Sequence, residues 1–529
     1  MVDEQVLARA AAWRDAEPDE DIRAELTELI AGPIDTLVAR FADRLQFGTA
    51  GLRGPVGAGP LRMNRLVVRQ AAAGLARYVV ATWPDAAERG IIIGFDARRK
   101  SDNFALDTAR VVAAAGVRAL LLPTPLPTPV LAWNITEHNA IAGVVVTASH
   151  NPAVDNGYKV YLGDGAQIVS PHDAAIAACI DLFDPCTVEL AAIDHPLIER
   201  LDGSAEARYL AAIPSLRFRP DVDGVGVAYT AMHGVGGATL LRAFEQARLP
   251  RPFVVAAQQQ PDPAFPTVAF PNPEEHGAMD LLLEQAHESH ALLALANDPD
   301  ADRLGAAIPT LDGGWRRLTG DELGWLLGDH ILRHTSGDDR LVVTTLVSSS
   351  LLGRMAAAAG VQFRETYTGF KWIGRTVLDH PELRFVFGYE QALGYLVCQR
   401  PMDKDGITAA VMMAEVAALA AHEGVTLQQR LDALADQFGR HVTAERSLRI
   451  DPIQAARNVA ALRDRPPTEV AGLAVTNVEW FDEAGLLRIW LNDIRLQVRP
   501  SGTEPKVKLY GEAIGTDPDL YLAALAELL

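Results

Sequence analysis

Three stretches of this chain repeat one pattern, and that repetition limits the fold more than anything else. The first has an apolar run at 91–95, a polar loop at 96–101, an alanine-rich helical stretch to Gly116, and a second apolar run at 119–122. The second has 225–230, the glycine-rich loop 233–237, a helical stretch at 238–247, and 253–256. The third has 341–347, Ser348-Ser349-Ser350, 351–359 and 361–364. Each reads as strand, loop, helix, strand, the grammar of a βαβ unit. Three copies predict three related mixed-sheet α/β domains rather than one large sheet. The tail differs. Short strands at 475–480, 487–491, 494–498 and 507–510 precede a helix at 521–528, a smaller C-terminal α+β domain. Polar or proline-bearing stretches near 195–220, 309–318 and 435–455 serve as linkers. The expected domains are therefore 1–205, 206–312, 313–437 and 438–529, in line with a length of 529 residues. Thr319 and Glu322 form a capping box ahead of a helix at 323–332.

Composition narrows the function. The 48 Lys and Arg residues face 68 Asp and Glu, a net charge of −20, which argues against a nucleic-acid partner. An anionic small molecule would instead need a locally positive pocket. The three cysteines, Cys179, Cys186 and Cys398, show no metal-site or disulfide spacing and suit a reducing compartment. The first 25 residues lack the apolar segment of a signal peptide, and no apolar run has the length of a membrane span. The expectation is a cytoplasmic enzyme, a monomer or dimer with no membrane partner.

Chemistry concentrates in six motifs. Thr147-Ala148-Ser149-His150-Asn151-Pro152 follows an apolar run at 141–146. A serine on a sharp turn at the carboxyl end of a strand is where an open α/β sheet presents reactive groups. Pro152 keeps Asn151 out of helical geometry, so Ser149 and His150 lie in a shaped loop. Serine is a poor nucleophile by itself, but phosphorylated it is a phosphoryl donor. Asn297-Asp298-Pro299-Asp300-Ala301-Asp302-Arg303 follows a strand-like run at 291–296. Three carboxylates at alternate positions repel unless a cation joins them, and oxygen ligands suit a hard ion such as Mg²⁺. Alone, the motif reads equally as a solvated acidic turn. A calcium hand is excluded, because its sixth and twelfth positions hold Arg303 and Pro309.

Arg499-Pro500-Ser501-Gly502-Thr503-Glu504-Pro505-Lys506 offers a guanidinium fork, two hydroxyls and exposed amides, the makings of a phosphate nest. Gly388-Tyr389-Glu390-Gln391-Ala392-Leu393-Gly394 sets a glutamate between glycines, suited to sugar hydroxyls, though an ordinary turn carboxylate looks the same. Phe47-Gly48-Thr49-Ala50-Gly51-Leu52-Arg53-Gly54 lets backbone approach a ligand and carries Arg53 to a phosphate. Asn156-Gly157-Tyr158-Lys159 brings Lys159 close after Ser149, to pair with a phosphate or move a proton; a surface lysine on a strand is the commoner case. Together the six answer the demands of phosphoryl transfer, in which positioning and charge neutralisation do most of the work.

Four of these motifs, in this order, resemble the α-D-phosphohexomutase superfamily of phosphoglucomutases and phosphomannomutases. They are 147–152, 298–303, 388–394 and 499–503. The segments 51–54, 233–237, 404–406 and Thr368-Gly369-Phe370-Lys371 extend the resemblance, which is strongest to the glucose/pentose branch. It implies four domains around a central cleft, each giving one loop. Ser149 would carry a phosphoryl group, and Asp298, Asp300 and Asp302 would hold Mg²⁺ with a phosphoserine oxygen. Arg303, Thr368, Gly369, Lys371, Glu390, Gln391 and Ala392 would bind sugar. Arg499, Ser501, Gly502, Thr503 and Lys506 would hold the non-reacting phosphate. His150, Lys159 and Arg53 match positions with acid/base or phosphate roles, and which of them moves protons stays open.

The implied reaction has two transfers through a sugar 1,6-bisphosphate, which also acts as activator. The implied partner is a phosphosugar whose 1-phosphate and 6-phosphate are exchanged. A phosphopentomutase and a sugar-bisphosphate synthase are alternatives on the same fold. A non-catalytic sensor would lack the serine or an aspartate, and this chain has all of them. Gln391 and Ala392 depart from the usual acid or serine of the sugar loop, so glucose, mannose and pentose phosphates all stay open.

Overall fold

A computed structural model describes residues 2–500 and 506–529. The chain divides into two compact units: one runs through Arg317 and adds Leu393–Leu419, and the other joins Leu318–Ala392 to Ala420–Leu529.

The first unit holds two mixed sheets. In the first sheet, Ile91–Phe95 pairs in parallel with both Ala119–Leu121 and Ala142–Val146. Asp155–Leu162 runs antiparallel between Ala142–Val146 and Leu52–Pro55. Every residue of Ile91–Phe95 and Ala142–Val146 is buried, because helices cover both faces of the sheet. One of them, Arg65–Thr82, starts where the Asn64 side chain accepts the Val67 N–H.

Three helices ahead of this sheet, Val2–Ala16, Glu20–Ala31 and Ile34–Phe41, are absent from the sequence reading. Their apolar stripes are thin among Ala, Asp, Glu and Arg, yet Trp13, Leu26, Leu37 and Phe41 join Leu66, Val68 and Leu75 in one core.

The second sheet of this unit centres on Val227–Thr230, parallel to Leu293–Asn297 and Phe253–Val254. Leu304–Pro309 then returns antiparallel to Leu293–Asn297, so the acidic motif is the turn of a hairpin. The segment Leu393–Leu419 belongs here because Glu415 is buried against 217–219. It faces Arg217 Nε at 3.4 Å and accepts the N–H groups of Phe218 (3.0 Å) and Arg219 (2.7 Å).

In the second unit, Arg340–Thr345 lies parallel to both Gln362–Thr366 and Arg384–Glu390. Helix Gly320–His334 begins at Thr319 with the expected capping box to Glu322. The C-terminal β-rich domain is an antiparallel sheet in which His441–Arg449, Lys506–Ile514, Ile494–Pro500, Leu486–Leu491 and Asn477–Phe481 pair in that order. Helices Pro452–Asp464 and Asp519–Ala526 pack on it around Leu487, Leu496, Leu509 and Leu522. Strand ends move by a few residues from the expected ones, as at 341–347, where the strand is Arg340–Thr345. Among the described residues no single helix is long and apolar enough to cross a membrane.

Glu512 ties the C-terminal sheet to the serine loop that follows Arg340–Thr345. It accepts the Ser349 hydroxyl (2.5 Å) and the Ser350 N–H (2.9 Å), and it pairs with His441 Nδ1 (2.8 Å) and Arg495 Nη2 (2.9 Å). Burial alone would raise this carboxyl. Arg495, His441 and Ser349 outweigh it and hold the group at about 2, against an ordinary 4.5. Its contribution to stability is therefore complete above pH 4.5 and is lost as pH falls toward 2. Glu512→Gln should cost roughly 3–5 kcal/mol at pH 7, because it strands the Arg495 charge. In thermal melts the gap between wild type and variant should narrow below pH 4.5; a constant gap would mean the carboxylate charge is not what stabilises.

Candidate active site

Ser149 follows the buried strand Ala142–Val146 and is itself buried. Its backbone is left-handed, with φ 50. Its hydroxyl donates to Asp298 Oδ2 at 2.8 Å and lies 3.1 Å from His150 Nδ1. Burial, with Arg303 and Arg53 nearby, keeps the His150 imidazole neutral, well below its ordinary range. Arg53 comes from Leu52–Pro55 and donates to Asn151 Oδ1 at 3.0 Å.

The acidic hairpin turn faces the same point. Asp298, Asp300 and Asp302 are fully buried, and one carboxylate oxygen of each lies within 4.8 Å of the others. Two ammonium groups answer this charge. Lys159 Nζ is 2.7 Å from Asp300 Oδ2 and 2.8 Å from Asp302 Oδ2, and Lys404 Nζ is 2.8 Å from Asp302 Oδ2. Thr128 Oγ1 also donates to Asp300 Oδ2, at 2.7 Å. Burial and the two neighbouring carboxylates push Asp298 well above the usual carboxylate range. Burial pushes Asp300 the same way, but the Lys159 ammonium overrides it and holds that carboxyl low. Asp300 Oδ1 and Asp302 Oδ1 remain buried without a hydrogen-bond partner. Orphaned carboxylate oxygens in a dry, all-oxygen cluster fit a hard divalent cation.

Close backbone approach shapes the turn. A Cβ on Gly406 would lie 2.2 Å from Arg303 O, and one on Gly234 would lie 2.4 Å from Pro299 Cα. Glycine at both positions lets the 233–237 and 404–406 loops press against the acidic turn. A further loop contributes aromatic cover: Phe270 lies 6.3 Å from the His150 ring and Phe265 lies 5.0 Å from the Arg98 guanidinium. Arg303 Nη1 reaches Glu274 at 3.3 Å. The structure thus brings Ser149, His150, Arg53, Lys159, Arg303 and the three aspartates together.

The remaining candidates lie in the second unit. Glu390 ends the strand Arg384–Glu390, and its Oε1 accepts the Gly369 N–H at 2.9 Å. Gly369 has φ 108, which only glycine adopts readily. The Thr368 hydroxyl is buried without a hydrogen-bond partner, and Lys371 lies in the first turn of helix Phe370–Leu378. The Gln391 amide oxygen takes the Ser348 hydroxyl at 3.0 Å, so this side chain also fixes the loop in which Ala392 follows. Arg499 is the last residue but one of the strand Ile494–Pro500, with its Nε buried and unpartnered, and Lys506 opens the next strand. Ser501, Gly502 and Thr503 lie outside the described residues.

Residues 44–183, 207–313 and 319–438 match, in order, the family domains described as phosphoglucomutase/phosphomannomutase alpha/beta/alpha domains I, II and III. The chain belongs to this family. A "Probable phosphomannomutase" of Haemophilus influenzae is 43% identical over 88% of this chain and 96% of its own length. A phosphopentomutase of Mus musculus is 33% identical over 100% of this chain and 94% of its own. A human glucose 1,6-bisphosphate synthase is 32% identical over 92% and 86%. In fold, the chain is similar to a solved phosphoglucomutase/phosphomannomutase family protein of Burkholderia thailandensis, with TM-score 0.71 and 20% identity over 90% of this chain and 95% of that one. These mutases are isomerases that act as phosphotransferases, and this phosphomutase is an enzyme of that class.

Several residues around the phosphomutase site carried no role in the sequence reading. Thr128 and Lys404 reach the aspartates from far along the chain, and no local spacing announces them. Phe265 and Phe270 belong to a proline-rich loop that reads only as a connection. Arg98 had a usable signal, a charged residue just past the carboxyl end of a buried strand.

Proposed function

We propose that this phosphomutase interconverts the 1-phosphate and 6-phosphate of a hexose through a phosphoserine at Ser149 and a sugar 1,6-bisphosphate. The observation that carries the reading is the buried Ser149 hydroxyl, bonded to one aspartate of a triad whose other two members are paired with Lys159.

In the first transfer, the free hydroxyl of the sugar phosphate attacks phosphorus, a new O–P bond forms, and the Ser149 O–P bond breaks. The proton given up by the sugar hydroxyl ends on the released Ser149 oxygen, and His150, whose Nδ1 lies 3.1 Å from that oxygen, is the group placed to exchange a proton with it. Lys159 and Arg53 face the charge gathering on the phosphoryl oxygens. A divalent cation, Mg²⁺ in this reading, held by Asp298, Asp300 and Asp302 with an oxygen of Ser149, would neutralise part of that charge. The bisphosphate then reorients, and its other phosphate returns to Ser149 by the reverse steps. Glu390 would accept sugar hydroxyls, and Arg303, Thr368, Gly369, Lys371, Gln391 and Ala392 would serve substrate binding. Arg499, Ser501, Gly502, Thr503 and Lys506 hold the phosphate that does not react.

A second reading, pentose 1-phosphate as substrate, is favoured by the phosphopentomutase relative that spans the whole chain. The deciding test is a coupled rate assay on glucose, mannose, ribose and deoxyribose 1-phosphates, with Mg²⁺ and a trace of glucose 1,6-bisphosphate. A higher kcat/KM for a hexose is expected. A pentose preference would install the second reading, and no turnover on any sugar would overturn both.

A further inference from the structure

Ser149 has to keep one orientation through two transfers, yet its backbone sits at φ 50, a strained state for a residue with a Cβ. Inside the loop, local bonds such as Asn151 N–H to Ala148 O at 3.1 Å help to fix it. The rest of the hold comes from the first repeat of the sequence. Arg98 donates through Nη2 to Ser149 O and Asn151 O, both at 2.5 Å, and through Nη1 to Pro152 O (2.8 Å) and Asp155 O (3.1 Å). One guanidinium thus gathers four carbonyls along the length of the loop.

Arg98 is itself pinned. Its N–H donates to Asp96 Oδ1 at 2.9 Å, and its Nε faces Asp96 Oδ2 at 3.3 Å. Ser101 Oγ donates to Asp96 Oδ1 at 2.7 Å, and Phe265 covers the guanidinium face. On the other side of the residue, the Thr147 hydroxyl accepts the Ser149 N–H at 2.9 Å. The Ser149 residue is therefore gripped at both ends. Its N–H is held by the Thr147 hydroxyl, and its C=O is held by Arg98, which Asp96 pins. Arg98 is 4% exposed and Asp96 2%. A buried ion pair is by itself a weak source of stability, so four bonds to one loop point to orientation as its use.

We propose that the Asp96–Arg98 pair is a positioning device for the phosphoryl-carrying serine: it sets the direction of Ser149 Oγ toward Asp298 and acts on the rate of transfer, not on sugar binding. The inference rests on the reading of Ser149 as the phosphoryl carrier. The test compares wild type, Arg98→Lys, Arg98→Ala and Asp96→Asn in steady-state kinetics with the preferred sugar 1-phosphate, after thermal melts identify the folded variants. An ammonium has no planar fork and cannot span the four carbonyls. Arg98→Lys should therefore lower kcat about 100-fold, the scale of a 1 Å misplacement, with KM within about threefold of wild type. Asp96→Asn should lower kcat roughly tenfold, also at constant KM. Millimolar guanidinium should restore part of the kcat of Arg98→Ala and leave wild type unchanged. A folded Arg98→Lys or Asp96→Asn with wild-type kcat, or with its loss carried by KM, would overturn the proposal. A wild type that transfers no phosphate to any sugar would overturn the reading of Ser149 instead, and the proposal with it.

Discussion

Ser149→Ala should fold normally and turn over sugar phosphates roughly 10⁴-fold or more slowly than wild type, as expected when a covalent carrier is deleted. The fold should hold because alanine keeps the Cβ that already sits at φ 50, so the backbone strain is unchanged. What disappears is the hydroxyl 2.8 Å from Asp298 Oδ2. The same protein should lose its covalent phosphate, read by intact mass and by mapping the peptide that contains Ser149 and His150. A variant that keeps phosphate on another residue, or keeps more than a few per cent of turnover, would remove Ser149 from the chemistry.

Lys159→Met should produce the second large change, and it should show in stability as well as rate. Lys159 sits at 2.7 and 2.8 Å from two of three carboxylates that share a buried turn. Removing its charge leaves those carboxylates with Lys404 and nearby arginines as compensation, a loss on the order of 3–5 kcal/mol. A divalent cation supplies the missing positive charge. Adding Mg²⁺ should therefore raise the melting temperature of Lys159→Met more than that of wild type. Turnover should stay about 10²-fold or more below wild type even at saturating Mg²⁺, because in the proposed reaction the ammonium would also face the phosphoryl oxygens. Equal Mg²⁺ responses in the two proteins would mean that the triad and Lys159 do not share a charge balance with a metal.

The sequence made the strands easiest to read. Residues 91–95 and 142–146 are buried on both faces, so apolar runs betray them. Thr319 and Glu322 announce a helix because a capping box is local chemistry. The helix Val2–Ala16 escaped because alanine and charged residues blur its periodicity, and its burial depends on helices made later. Asp155–Leu162 carries polar residues that look exposed, yet Asn156 is buried because its amide bonds Ser101 Oγ and Arg99 O. The acidic turn and the serine loop were legible as motifs. The contact of Lys404 with Asp302 and the grip of Arg98 on carbonyls some fifty residues away were not, because tertiary contacts of that span leave no mark on neighbouring sequence.

The discontinuity of the first unit has a consequence for how the protein is made. Lys404 and Gly406 complete the surroundings of the acidic turn, yet they leave the ribosome after the whole of Leu318–Ala392. At ordinary translation speed, the roughly hundred residues between the turn and these partners take about 5–20 s to emerge. Until then three aspartates wait with only Lys159, Thr128 and nearby arginines for company. The second unit depends in the same way on a later segment, Ala420–Leu529. The chain passes between the units three times, so no single break would release either unit whole and co-expressed fragments have to be cut at three places.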